Sequence, residues 1–198
     1  MNQMPLDDAA AVARAKGGDE DAFRVLVDRH SRSIYRLAHR MTGRPEDAED
    51  VVQETFVRAY RQLGRFESRS NFATWLYRIG FNCAIDYMRG RPHREAAEAP
   101  DTLERLSPKT SGPSVDDLVF AGEVGTRVQA ALMDLSPQER AAFLMRHYQG
   151  CSIEEICDAL NLKTNAAKHS IFRAVKKMRV ALRPLLSGYE LATEEVAK

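Results

Sequence analysis

Residues 136–179 read SPQERAAFLMRHYQGCSIEEICDALNLKTNAAKHSIFRAVKKMR, and their punctuation decides the fold. Ser136, then Pro137, then Glu139 has the form of a capping box. The hydroxyl accepts from the third amide, the ring sits where a missing N–H costs nothing, and the carboxylate reaches back to the cap. Ser152-Ile153-Glu154-Glu155 repeats the start signal. Its helix is short, ending near Leu160-Asn161-Leu162, and a new one starts at about Thr164. Two helices joined by a turn of three or four residues, the second longer and basic, form a helix-turn-helix. On the basic helix Ala167, Ile171, Ala174, Val175, Met178 and Leu182 fall on one side and pack inward. Lys168, His169, Phe172, Arg173, Lys176 and Arg179 face out. The first residues of such a helix reach base edges and the later Lys and Arg hold phosphates, while an exposed Phe suits a thymine methyl.

Working outward, a helix carrying Leu118, Val128, Leu132 and Leu135 leads from near Val115 to this motif. Residues 95–114 (EAAEAPDTLERLSPKTSGPS) are rich in Pro, Ser and acid. That composition reads as a flexible linker; the alternative, a long loop inside one domain, is uncommon at this length.

Upstream, helical spacing recurs and no strand alternation persists. Asp7 or Asp8 caps a short Ala-rich helix that stops at Gly17-Gly18. A second helix from about Asp19 carries Phe23, Leu26, His30, Ile34, Leu37 and Met41, and Gly43 ends it. Pro45 opens a third, with Ala48, Val51, Val52, Thr55, Phe56 and Ala59 in one stripe and Asp50, Gln53 and Glu54 opposite. Gly64 closes it, and a polar loop (65–71) leads into a fourth helix over 72–89. This buries Phe72, Leu76, Ile79 and Cys83 and leaves Trp75, Arg78, Asn82 and Asp86 nearer the other side. Arg89, Arg91 and Arg94 around Pro92 end the module. Phe66, Phe72, Trp75 and Tyr77 alternate with Arg69, Arg78 and Asn82, a surface suited to unstacked nucleotides. The same aromatics can fill a core: periodicity favours that for Phe72 and leaves Trp75 open.

The formal net charge of +1 conceals segregation. Residues 46–54 carry five acids and no base, and 163–183 carry seven Lys or Arg and no acid. Either run alone reads as a solvated helix face. Opposite signs on separate modules point to two partners, one basic and one polyanionic. No apolar run approaches the roughly 18 residues of a membrane span, and the N-terminus lacks a signal pattern, so a cytoplasmic protein is expected. Cys83, Cys151 and Cys157 are too few for a disulfide framework. Without a CxxC pair they read as buried thiols rather than zinc ligands, His147 notwithstanding. No Gly-rich phosphate loop, HExxH or nucleophile elbow is present and the five histidines are scattered, so neither an enzyme nor a cofactor is expected.

Residues 43–66 (GRPEDAEDVVQETFVRAYRQLGRF) and 70–89 (SNFATWLYRIGFNCAIDYMR) closely resemble sigma region two of the extracytoplasmic-function group. Residues 135–179 resemble sigma region four of the same group. The resemblance implies an all-α protein of two small helical domains joined by a flexible linker. Region two would span 1–94, the linker 95–114, region four 115–185 and a C-terminal tail 186–198. It implies a sigma factor, regulated by stress or envelope signals, that loads RNA polymerase core onto promoters. Its partners would be the core's largest-subunit clamp coiled coil and flap, promoter DNA and an anti-sigma factor. Asp50, Gln53 and Glu54 would dock on the clamp. Phe66, Ser68, Arg69, Ser70, Asn71 and Phe72 would pocket a flipped base of the −10 element, with Trp75, Arg78 and Asn82 on the following helix. Thr164, Asn165, Lys168, His169, Ser170, Phe172, Arg173 and Lys176 would contact the −35 element. Many relatives carry Arg-Ser-Arg where this chain has Lys168-His169-Ser170, which removes one guanidinium fork and its bidentate guanine contact. The loop reads Glu67-Ser68-Arg69-Ser70 where relatives often have Gly then an acid. The competing class is a DNA-binding regulator that merely shares a helix-turn-helix; it would bind its operator alone, whereas a sigma factor brings down polymerase core.

Overall fold

A computed structural model of the chain describes residues 7–67, 71–94 and 122–196. The chain falls into two compact units, 1–110 and 111–198. Among the described residues all regular structure is helical. The expected linker, Val115, Leu118 and the loop residues Ser68, Arg69 and Ser70 lie outside the described residues.

The first unit comprises α1 (Asp8–Lys16), α2 (Glu20–Thr42), α3 (Pro45–Gln62), a 3-10 turn (Leu63–Arg65) and α4 (Phe72–Arg94). Asp7 caps α1 by accepting from the Ala10 amide, and Asp19 caps α2 through Ala22. Gly43 stops α2 in the left-handed region at φ 80°, where a side chain would be strained. Pro45 opens α3. The apolar stripes then close a bundle around Leu26, Ile34, Met41, Val51, Leu76 and Phe81, all at most 1% exposed. α4 does not end near residue 89 but continues through Pro92 to Arg94.

The second unit holds α5 (Glu123–Met133), α6 (Pro137–His147), α7 (Ile153–Leu160) and α8 (Thr164–Val196). Both expected capping boxes are complete, at Ser136/Glu139 and Ser152/Glu155. Asn161 ends α7 in the left-handed region at φ 51°, which an asparagine tolerates. The expected helix through Leu135 stops instead at Met133, and Leu135 is buried in the turn. α8 runs past Pro184 to Val196, so the stretch expected as a separate tail is helical almost to its end. Leu, Glu and Ala predominate beyond the proline and sustain the helix.

Arg140 is only 6% exposed. Its guanidinium donates to the main-chain oxygens of Leu132, Met133 and Leu135 at 2.7, 3.0 and 3.1 Å. A cation buried at the end of α5 thus answers carbonyls that have no intrahelical donor. Burial pulls its pKa down to about 10. Arg140→Met keeps the bulk and removes the donors, and should cost the second unit about 2–4 kcal/mol. Native-state amide exchange of the full chain reads it: protection should fall across 123–183 and stay unchanged in the first unit.

Candidate functional site

In the first unit, α3 and α4 form a groove lined by Asp50, Gln53, Glu54, Val57, Arg58, Asp86 and Tyr87. The spacing of Asp50, Gln53 and Glu54 places them on one helix face. The acids are not free. Arg58 donates to Glu54 at 2.5 Å and to Asp86 at 2.8 Å, joining the two helices. These bonds hold the Arg58 pKa above its ordinary value. The Tyr87 hydroxyl lies 3.1 Å from Asp47 Oδ1 and 3.2 Å from Asp50 Oδ2. Burial and then these carboxylates push its pKa up to about 12. Arg58 and Tyr87 were not singled out from the sequence, because pairing between helices leaves no periodic signal.

The second cluster surrounds the loop after α3. Phe66, Phe72 and Trp75 stack in a triangle with ring centroids 5.0–6.0 Å apart. Phe66 and Phe72 are 6% and 3% exposed. The expectation that these two rings contact a base is therefore corrected: they are core. Trp75, left open by the sequence, is half-buried at the edge of the triangle. Asn71 caps α4 by accepting from the Thr74 amide at 2.7 Å. Asn71 and Asn82 are exposed and Arg78 is half-buried. Lys16, unmarked in the sequence, donates to the Phe66 carbonyl.

On α8, Thr164, Asn165, Lys168, His169, Phe172, Arg173 and Lys176 are exposed, as the helical register requires. Phe172 is 67% exposed, on the outward side of the helix. Ser170 is corrected: it is fully buried and its hydroxyl accepts from Gln138 at 3.1 Å, so it joins α8 to α6 and cannot face DNA. Arg173 and Lys177 donate to Glu139 at 2.9 and 2.7 Å. Burial would raise the Glu139 pKa. Bonds from Lys177, the Ser136 amide and Arg173 outweigh it and hold the carboxyl below its ordinary 4.5.

Comparison with known proteins gives the same two parts. Residues 26–93 match the family model for sigma-70 region 2, and 126–178 match that for sigma-70 region 4. The chain is 31% identical over 179 residues to the ECF RNA polymerase sigma factor SigW of Bacillus subtilis, covering 88% of this chain and 96% of that one. It is 32% identical over 184 residues to the RNA polymerase sigma-H factor of Pseudomonas aeruginosa, covering 90% and 95%. Among solved structures it is similar to CnrH in complex with the cytosolic domain of CnrY. There the identity is 28% and the TM-score 0.60, covering 89% of this chain and 97% of that one. The fold also matches the sigma factor RpoE in complex with the anti-sigma factor NepR from Bartonella quintana at 21% identity and TM-score 0.58, covering 81% and 96%.

The depressed Glu139 carboxyl makes the second unit sensitive to acid. A carboxyl whose folded pKa lies below its unfolded value stabilises fully above the unfolded value and loses that effect as pH falls through the folded one. The second unit should therefore keep this contribution above pH 4.5 and lose it as the pH drops further. In Glu139→Gln, which keeps the capping geometry, that part of the acid dependence should be absent when amide exchange is followed against pH.

Proposed function

The chain belongs to the extracytoplasmic-function group of the sigma-70 family, and on that footing we propose how its surfaces divide the work. It is a sigma factor and not an enzyme: it joins RNA polymerase core and directs promoter-specific initiation. The observation that carries the reading is the pairing of an acidic groove on one unit with a basic, outward-facing helix on the other.

The groove of Asp50, Gln53 and Glu54 is the dock for the clamp coiled coil of the largest core subunit. Its acids complement a basic helix pair, and Val57 adds an exposed apolar contact. The second unit sits at the flap and presents α8 to the −35 element, with Lys168, His169 and Phe172 toward base edges. Arg173 and Lys176 are assigned to phosphates, Arg173 next after Phe172 and Lys176 one turn beyond it. Lys168 offers a point charge rather than a fork, so guanine readout there is weaker than an arginine would give.

The loop from Phe66 to Asn71 and the amide of Asn82 form a pocket for a base extruded from the −10 element. An amide both donates and accepts, as a base edge requires. Extrusion costs a few kcal/mol, which pocket contacts must offset. With Phe66 and Phe72 buried, Trp75 is left as the aromatic within reach, and stacking contributes only about 1–3 kcal/mol per base. Opening is weakly driven and confined to closely matched promoters. The relative crystallised with an anti-sigma factor suggests the same kind of regulator here. No helix among the described residues is long and apolar enough to cross a membrane.

Core binding is tested by Glu54→Lys, which sets a positive charge against the incoming partner and should weaken core affinity by roughly 1–4 kcal/mol. Circular dichroism of the variant should be unchanged, because Glu54 is exposed; an unaltered affinity in titration with core would remove the groove from the docking surface. Promoter opening is tested by Asn82→Ala in reconstituted holoenzyme. Permanganate reactivity of unpaired −10 thymines should drop while core binding and −35 protection persist, and normal reactivity refutes the pocket.

A further inference from the structure

The base-capturing loop leaves the fold at Phe66, and Lys16 at the end of α1 holds that point. Its ammonium donates to the Phe66 carbonyl oxygen. It also stands 5.8 Å from the centroid of the Phe66 ring. One cation therefore grips the main chain and the side chain of the same residue, by a charge-assisted hydrogen bond and a cation–π contact. A lysine in a last helical turn ordinarily serves its own helix's terminal carbonyls. Here it reaches an oxygen fifty residues away in sequence.

The helix that carries Lys16 is itself fixed at both ends. Asp8 pairs with Arg29 and lies 2.8 Å from the His30 ring nitrogen. Arg14 meets Asp19 at 2.6 Å across the Gly17-Gly18 turn. The His30 ring lies 5.3 Å from Phe72, so α2 touches the aromatic triangle at the loop's far end. Phe66, where the loop departs, and Phe72, just past where it returns, are thus held from the same side of the unit by α1 and α2.

We propose that Lys16 is a positioning residue for promoter opening. By clamping the carbonyl and ring of Phe66 it fixes, before DNA arrives, the residue at which the base-capturing loop begins. Ordering the loop's origin during folding removes that cost from the capture step. This inference rests on the reading that the loop and Asn82 receive a −10 base.

The experiment uses holoenzyme reconstituted with full-length wild-type chain, Lys16→Met, Lys16→Arg or Asn82→Ala. The template is a promoter recovered from a genomic library by transcription with the wild type. Permanganate reactivity around −10, footprinting at −35 and core affinity are read together, and the emission of Trp75, the chain's one tryptophan, is read on the free full-length chain. In Lys16→Met, −10 reactivity should fall by about three- to tenfold, the scale of one charge-assisted bond at a partly exposed site. Trp75 emission should shift, because its Phe66 neighbour is released. Core affinity and −35 protection should not change, and Lys16→Arg, which keeps charge and donor, should restore opening to within about twofold. Wild-type opening by Lys16→Met alongside impaired Asn82→Ala overturns the role of Lys16 and leaves the pocket standing. Normal opening by Asn82→Ala removes the pocket and the inference with it. Loss of core binding in Lys16→Met, or no rescue by arginine, also overturns it, since the lysine would then be holding the unit rather than the loop.

Discussion

Three donors meet at the carboxylate of Glu139. The Ser136 amide and the Lys177 ammonium donate to one oxygen and Arg173 to the other, while Ser136 Oγ accepts from the Glu139 amide. A carboxylate only 5% exposed is tolerable because each oxygen is answered. The same side chain that begins α6 also seizes α8 at two points one turn apart. Its neighbour Arg140 faces the other way and closes the end of α5. Two adjacent residues of opposite charge therefore tie α6 to α8 on one hand and to the end of α5 on the other. Alanines at 167 and 174 let the backbones come close enough for those short polar reaches.

The first unit solves a different problem with the same chemistry. Its groove gathers carboxylates that would repel one another. Arg58 lies between Glu54 and Asp86 and offsets part of their charge, while the neutral Tyr87 hydroxyl lies between Asp47 and Asp50 and hydrogen-bonds there. On the proposed reading, a partner docking here would exchange the Arg58 ion pairs for its own as well as adding to them. Electrostatics at this surface then serve encounter and choice of partner more than raw affinity.

Helix boundaries were legible wherever a local signal marks them: Asp7, Asp19, Pro45, Ser136, Ser152 and Asn161 all stand where local capping and turn chemistry puts them. The inward and outward faces of α3 and α8 followed from periodicity alone. Ser170 misled because its face sits at the edge of the stripe, and only the position of Gln138 on another helix decides it. Phe66 misled for a similar reason, since a loop residue has no register from which burial can be read. Arg58, Tyr87, Arg140 and Lys16 were invisible because their partners lie on other elements or on main-chain atoms. The helix end expected near residue 89 was overread: Pro92 raises the cost of a helix without forbidding it.

The three thiols are graded by depth. Cys83 is 2% exposed beneath the groove and Cys151 is 7% exposed at the turn before α7, whereas Cys157 is half-buried. Burial pushes the Cys83 and Cys151 thiols up, away from the reactive thiolate. An alkylating reagent therefore meets Cys157 first and reaches Cys83 only when α3 and α4 part. The chain thus carries its own clock for each unit: the labelling rate of Cys83 times the breathing of the groove, and that of Cys151 times the fraying of the turn that precedes α7.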